Sequence, residues 1–451
     1  MQSKLKIKEY VYIASMLFGL FFGAGNLIFP VSMGQMAGSN VWPAIIGFLI
    51  TGVGLPLLGI MAMGISRSNG LYDLASRVHP YYSLFFTCAL YLTIGPFFAI
   101  PRTATVSFEV GIVPFVNKNQ ITLWLGIFSL IFFLAVLWFS LRPSNILTWV
   151  GKILNPLFLL FLAILIITAF LNPMGNVVQV PVQQSYQNGS FFKGFLEGYN
   201  TMDALASLAF GIVVINVIRN LGVEDSNTIA FSTMKSGIFS MSLMALIYVS
   251  LTIMGTQSRG IFPVSKNGGE ALSLISNHYF GKIGAVLLAI IITLACLKTA
   301  VGLITSCSQT FVNIFPNSVN YKIYAIGFSV VSFVIANFGL NNVIAFSIPV
   351  LMFLYPLAIT LILLTLFQAT FNSDHRVYQW VTGFTAFAAI FDFVGALPDA
   401  AINFLHLDGM IDLASNNLPF YNMGMGWIVP ALVGLVIGLF VHFFMQKKPI
   451  R

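Results

Sequence analysis

Apolar runs of roughly 18 residues or more recur along this chain from end to end, separated by short polar or Gly/Pro-bearing links. Each run is long enough to cross a bilayer as a helix. The pattern predicts about twelve helices, with cores over residues 9–35, 41–65, 80–105, 121–141, 149–171, 195–218, 228–255, 282–313, 320–338, 341–370, 377–397 and 424–446. The links, such as RSNGLYDLASRVHP (67–80), NPMGNVVQVPVQQSYQNGS (172–190) and NFLHLDGMIDLASNNLPFYNM (403–423), are too short to form soluble domains. The expected architecture is therefore an all-α polytopic membrane protein with a single transmembrane domain over 1–451.

Composition removes the alternatives. Of the 451 residues, 58% are hydrophobic and only 8% are charged, against about 25% charged in ordinary soluble domains. The mean hydropathy is +0.91. The first run is long and lacks a small-residue cleavage site, so it is read as a retained helix rather than a signal peptide. Cys88, Cys296 and Cys307 stand in apolar segments at no metal-like spacing. The histidines fall at helix ends or in links, as interfacial anchors do. The net charge of +8 reflects the orientation rule for cytoplasmic loops rather than a nucleic-acid partner. With the N-terminus inside, Lys4, Lys6, Lys8, Arg67, Arg77, Arg142, Lys152, Arg219, Lys235, Lys322, Arg376, Lys447, Lys448 and Arg451 fall on the cytoplasmic side. Arg102, Lys118, Lys193, Arg259, Lys266 and Lys282 fall outside. The bias exceeds two to one, so both termini are expected in the cytoplasm.

Two runs carry residues that weaken a helix at membrane depth. The first reads LFGLFFGAGNLIFP (17–30), and five helices later comes EGYNTMDALASLAFG (197–211), with the carboxylate Asp203 among small residues. Glycine clusters also serve close helix packing. Irregular backbone inside a membrane survives only where it faces protein or a water-filled cavity. Interrupted helices at corresponding places in two halves are the mark of a transporter site. Helices one and six then correspond in a five-plus-five arrangement, with repeats over about 9–171 and 195–370 and extra helices over about 377–446. An α-carboxylate needs donors, and Gly23, Ala24 and Gly25 offer free N–H groups at a half-helix start. Asn26 and Asp203 stand beside them. Phe22, Phe210 and the stretch near Ile94 to Ile100 could line an apolar pocket.

FFGAGNLIFP, VWPAIIGFLITGVGLPLLG (41–59), YLTIGPFFAIPRTATVSFEVG (91–111), GYNTMDALASLAFGIVVINVI (198–218) and IPVLMFLYP (348–356), in this order, resemble the bacterial branched-chain amino-acid:cation symporter family. This is the LIVCS or BrnQ type, within the amino acid-polyamine-organocation superfamily. The resemblance covers nearly the whole chain, and IGPFFAIPRTATVSFE is its most characteristic segment. It implies multi-pass residence in the bacterial plasma membrane and uptake of leucine, isoleucine and valine driven by sodium or protons, with no other cofactor. It also implies a leucine-transporter-type fold: an inverted five-helix repeat, discontinuous helices one and six, and two extra helices. Helix eight carries GLITS, which is similar to the segment where adjacent Thr and Ser hydroxyls hold sodium. That likeness makes Thr305 and Ser306 expected ligands, with carbonyls of Gly302, Gly19 and Phe22 completing the cage.

Lys298 lies one turn before Gly302 on the same face. Intramembrane ionisable groups are functional candidates, so it is expected to replace sodium electrostatically or to carry a coupled proton. Arg102 and Glu109 near the outer end of helix three are expected gating residues, with Asp203 or Glu197 partnering Arg102. Other readings remain open on the residues alone: an exchanger or exporter of small neutral amino acids, a membrane-embedded enzyme, or a channel. No HExxH motif, nucleophile elbow or paired-Asp motif supports the enzyme.

Overall fold

The computed structural model describes residues 5–142, 145–223 and 225–446. Lys4, Lys447, Lys448 and Arg451, which carry part of the orientation argument, and the side chain of Lys152 lie outside the described residues. The first apolar run is two helices, α1 (Ile7–Phe21) and α2 (Ala24–Ala37), parted by extended backbone at Phe22 and Gly23. The second is α3 (Val41–Leu49) and α4 (Leu55–Ser66), joined by a π turn over Ile50–Gly54. The third is α5 (Pro80–Leu92) and α6 (Ala99–Gly111). They meet at a π turn over Thr93–Phe97, where Gly95 leaves helical geometry and Pro96 has no N–H to give. Then follow α7 (Ile121–Leu141) and α8 (Asn145–Leu171). The sixth run divides into α9 (Ser190–Tyr199) and α10 (Asp203–Asn220), with Met202 left-handed at φ +60 between them. The remaining long helices are α11 (Ser226–Ser258), α12 (Gly268–Ile314), α13 (Tyr321–Ala336), α14 (Leu340–Leu366), α15 (His375–Gly395) and α16 (Ile428–Gln446).

Among the described residues, 8 helices are long and apolar enough to cross a membrane, and three further apolar helices are shorter. One of the 8, Gly25–Ser66, runs for 42 residues, about 63 Å at 1.5 Å per residue and twice a hydrocarbon core. It is divided at Gly38, whose φ of +53 ends α2. The sequence places the start of helix eight at residue 282. The structure begins α12 earlier, where Asn267 caps it by accepting the Glu270 N–H at 3.0 Å, and bends it at Gly281. The segment before the bend lies on α2. A Cβ on Gly268 would fall 1.8 Å from the Ile28 carbonyl oxygen.

Close backbone approach packs the helices around the two broken runs. Gly34 of α2 packs on α11, where an added Cβ would lie 2.0 Å from the Thr252 carbonyl oxygen. Gly47 of α3 and Gly194 of α9 face each other's helix, and a Cβ on either would meet a carbonyl oxygen at 2.0 Å. Without lipid-excluded water to drive them together, membrane helices rely on this kind of packing.

At the other end of the bundle, α15 and α16 are pinned by one ion pair. Asp374 caps α15, accepting the Arg376 N–H at 2.9 Å, and His442 Nδ1 lies 2.7 Å from its second oxygen. Partial burial pushes the Asp374 carboxyl up. The His442 hydrogen bond, the Arg376 N–H and the nearby positive charges outweigh it and hold the carboxyl below its usual range. A depressed carboxylate stabilises the folded state above its unfolded pKa and loses that contribution as pH falls through the folded value. Thermal unfolding of solubilised protein should show wild type more stable than Asp374→Asn at neutral pH. The difference should close below about pH 4. A gap that persists unchanged into acid would remove the charge of Asp374 as its source.

Candidate functional site

The breaks in the first and sixth runs are joined by side chains. Asn26 folds back over the start of α2, its Oδ1 accepting the Gly23 N–H at 3.0 Å. Its Nδ2 donates to Asp203 Oδ2 at 2.6 Å and also to the Tyr248 hydroxyl of α11. Tyr248 in turn donates to the same Asp203 oxygen at 3.0 Å. Asn26 and Asp203 are each only 2% exposed. Asp203 is the first residue of α10, where the helix dipole favours a negative charge. Its N–H donates to Thr201 Oγ1 at 3.3 Å. Met202 is a non-glycine residue in the left-handed region, a strain of about 1–3 kcal/mol that concentrates at functional sites.

Around this junction lies a cavity of about 60 Å³ with two kinds of wall. Gly23, Gly25, Asn26, Thr201 and Asp203 make the polar side, with Arg102 and Thr103. Ile94, Ala206, Phe210 and Leu303 make the apolar side. The first N–H groups of α2 have no partner within that helix, as at any helix start. Polar acceptors, free N–H groups and an aliphatic wall in one small space can hold a zwitterion with an apolar tail.

Arg102 lies deeper than its expected place near the outer end of helix three. The helix runs on to Gly111, about 14 Å beyond Arg102 at 1.5 Å per residue. The hydrophobic pattern ends this run at 105, six residues short of Gly111, and so places Arg102 near its end. Arg102 is 3% exposed and donates to the Asn200 carbonyl and, at 2.9 Å, to Ser347 Oγ of α14. Its guanidinium sits 4.9 Å from the Phe29 ring centre. Among the described residues no carboxylate oxygen lies within 4.0 Å of it, so neither Asp203 nor Glu197 pairs with it here. Glu109, two residues before the end of α6, accepts from Asn267 Nδ2 at 3.2 Å, and Asn267 also donates to Asn341 at 3.1 Å. This cluster ties α6, α12 and α14 together.

A second, smaller cavity of about 20 Å³ holds Gly19, Phe22, Phe158, Lys298 and Thr299 on its walls. Phe22 thus faces this space rather than the larger one. The structure does not gather the expected cation residues. Gly302 and Thr305 are exposed and Ser306 is half-buried. Thr299 borders both cavities, with its methyl 3.7 Å from where a Gly23 Cβ would stand. It lies seven residues before Ser306, nearly the same face about 10 Å along the helix.

Tyr248, Thr201 and Thr299 are site residues that the sequence reading missed. Tyr248 had a signal, a tyrosine in the apolar run MALIYVSL, since a buried tyrosine needs a partner. Thr201 and Thr299 are neighbours of residues already singled out.

A family model described as branched-chain amino acid transport protein matches residues 6–445. The chain is 51% identical over 449 residues to the branched-chain amino acid permease BrnQ of Lactobacillus delbrueckii subsp. lactis, covering 99% of this chain and 100% of that one. It is 43% identical over 447 residues to the permease BrnQ of Bacillus subtilis (strain 168), at 99% and 100% coverage. It is 39% identical over 435 residues to the branched-chain amino acid transport system 2 carrier protein of Pseudomonas aeruginosa, at 96% of each. Among solved structures, Mhp1, a nucleobase-cation-symport-1 family transporter, in a closed conformation with bromovinylhydantoin bound, superposes with a TM-score of 0.62 at 13% identity. That match covers 97% of this chain and 92% of Mhp1. MhsT in complex with L-phenylalanine gives 0.55 at 16%, covering 98% and 99%. The fold is that of the leucine-transporter type.

Proposed function

The chain belongs to the branched-chain amino acid transport protein family, and on that premise we propose that it takes up leucine, isoleucine and valine by cation-coupled alternating access. Its relatives are named permeases and carrier proteins, which move a solute rather than transform it. The observation that carries the reading is the junction of the two broken runs through Asn26, Asp203 and Tyr248 beside a half-polar, half-aliphatic cavity.

In this reading the substrate carboxylate lies against the free N–H groups of Ala24 and Gly25 at the start of α2. The ammonium lies toward Asp203. The branched tail rests among Ile94, Phe210 and Leu303. One methylene changes binding in such a pocket by only about 1–3 kcal/mol, so the three aliphatic amino acids share it. The coupling cation is assigned to the neighbouring cavity, where Gly19 and Phe22 meet Lys298 and Thr299. Arg102 and the Glu109–Asn267–Asn341 cluster close the outer side. Residues 9–171 and 195–370 are taken as the two repeats and 377–446 as the appended helices, giving twelve crossings in a bacterial plasma membrane with both termini inside.

Labelled leucine uptake into proteoliposomes, with a sodium or a proton gradient imposed separately, tests this. Accumulation above equilibrium under one gradient, competed by isoleucine and valine, is the expected result. Exchange without net accumulation would replace uptake with the exchanger reading. No transport by folded protein would overturn the proposal.

A further inference from the structure

Asp392 of α15 is a carboxylate inside the bundle that no part of the foregoing site uses. It is 3% exposed, and neither of its oxygens has a hydrogen-bond partner. Main-chain N–H groups of Gly426 and Trp427 face it but stand outside hydrogen-bonding geometry. The chain comes this near only because residue 426 is glycine: a Cβ there would lie 2.9 Å from Asp392 Oδ1. Two more buried polar atoms, Trp427 Nε1 and the Tyr199 hydroxyl, also lack partners. They face each other, and Tyr199 faces Asp392. The titratable side chains turned toward Asp392 are Tyr199 from α9 and Tyr421 from the turn before α16. Among the described residues no cation pairs with it.

An ionised carboxylate is an acceptor only, and leaving both oxygens bare in a buried site is expensive. A neutral carboxyl tolerates the arrangement far better. The surroundings are nevertheless donors, set back by a small distance. We propose that Asp392 is a proton-binding site of the transport cycle, neutral in the conformation described here and ionised in another, in which the Gly426 and Trp427 N–H groups and the Tyr199 hydroxyl close on it.

The proton has a route out. Tyr421 donates to the Phe391 carbonyl at 3.2 Å, faces Asp392, and lines an open cavity of about 320 Å³ with Asn416, Asn417 and Asn422. On ionisation the Asp392 O–H bond breaks and the proton passes to water in that cavity. The step also has a route to the substrate site. Tyr199 is the last residue of α9, immediately before the break that leads to Asp203. Its ring stacks on Tyr355 at 4.0 Å between centres, and Tyr355 faces Thr201 and Asp203. Drawing Tyr199 toward Asp392 therefore shifts the segment that forms one wall of the cavity. The link to substrate rests on the transport reading above; the proton site does not.

The test has two arms. Infrared spectra of the protein in liposomes should contain the C=O stretch of a buried carboxylic acid. That band should vanish in Asp392→Asn and persist in Asp203→Asn. Leucine affinity of wild type should change by about fivefold or more with pH, while Asp392→Asn, which mimics the neutral acid, stays flat at the low-pH value. A band and a pH dependence that both survive Asp392→Asn overturn the proposal. If wild type binds no leucine, the transport reading fails and the infrared arm still decides the proton site. Should Asp392→Asn not fold, Tyr199→Phe removes the side-chain donor to the ionised form and should move the loss of the acid band to higher pH. An unmoved transition overturns the proposal equally.

Discussion

Asp203→Asn should lower leucine affinity by about ten- to a hundredfold and leave the bundle folded. The substitution is chosen because it separates charge from structure. An asparagine oxygen at this position still accepts from Asn26 Nδ2 and from the Tyr248 hydroxyl, the two donors that now converge on Asp203 Oδ2. What disappears is the negative charge offered to the substrate ammonium. Hydrogen bonds to charged groups are worth about 1.5–3 kcal/mol, and each 1.4 kcal/mol is about tenfold in affinity. Alanine would be a poorer probe. It strands two buried donors at about 1–3 kcal/mol each, and the loss of stability would mask the loss of binding. Equilibrium binding of labelled leucine to purified protein, with the ligand-free unfolding midpoint alongside, reads both quantities. Wild-type affinity in folded Asp203→Asn would take the ammonium away from Asp203.

The second large effect is expected at Arg102. Its guanidinium joins four pieces of chain: α6, which carries it, the Asn200 carbonyl at the α9–α10 break, Ser347 of α14 and the Phe29 ring of α2. In the proposed alternating-access cycle, a closure that spans all of these is made and broken as the site opens. Arg102→Gln is shorter and neutral, and it leaves the Asn200 oxygen and Ser347 without their charged donor. Leucine uptake should fall on the order of tenfold or more, in protein that still inserts and purifies normally, since each charge-assisted bond is worth about 1.5–3 kcal/mol. Arg102→Lys should restore only part of the rate, because an ammonium cannot reproduce the planar fork. Normal uptake by Arg102→Gln would remove the residue from the mechanism.

Much of this arrangement was legible in the residues. Gly23, Gly25 and Asn26 stand where no lipid-facing helix would put them, and α1 does end there. Asp203 is a carboxylate in an apolar run, and it opens α10 beside the second break. The sequence also carried signals that were passed over. Gly95 and Pro96 interrupt the third run in the same physical way, through a missing N–H and a missing Cβ. The hydrophobic pattern alone runs through them as one continuous helix over 80–105. The same pattern ends the run at 105 where the helix continues to Gly111, and Arg102 lies against the cavity rather than at the helix end.

Depth along a helix was the harder quantity. Thr299 and Ser306 lie seven residues apart, nearly two turns, so a helical wheel places them on almost the same face. Only the packing of α1 and α8 against α12 decides which reaches Gly19 and Phe22, and it selects Thr299. Asp392, a carboxylate within the run 377–397, carried the same signal as Asp203, but its surroundings did not. Its site is made by residues 421–427 folding back from a link that reads as surface. Nothing local ties Gly426, Trp427 and Tyr199 to a carboxylate in α15.

A structure of the protein with leucine bound in a bilayer mimetic decides whether the two breaks form the binding site. The carboxylate is expected at the N–H groups of Ala24 and Gly25, the ammonium beside Asp203, and the branched tail among Ile94, Phe210 and Leu303. Leucine found elsewhere, with the junction of Asn26, Asp203 and Tyr248 untouched by it, would show that the two breaks are structural and not the binding site.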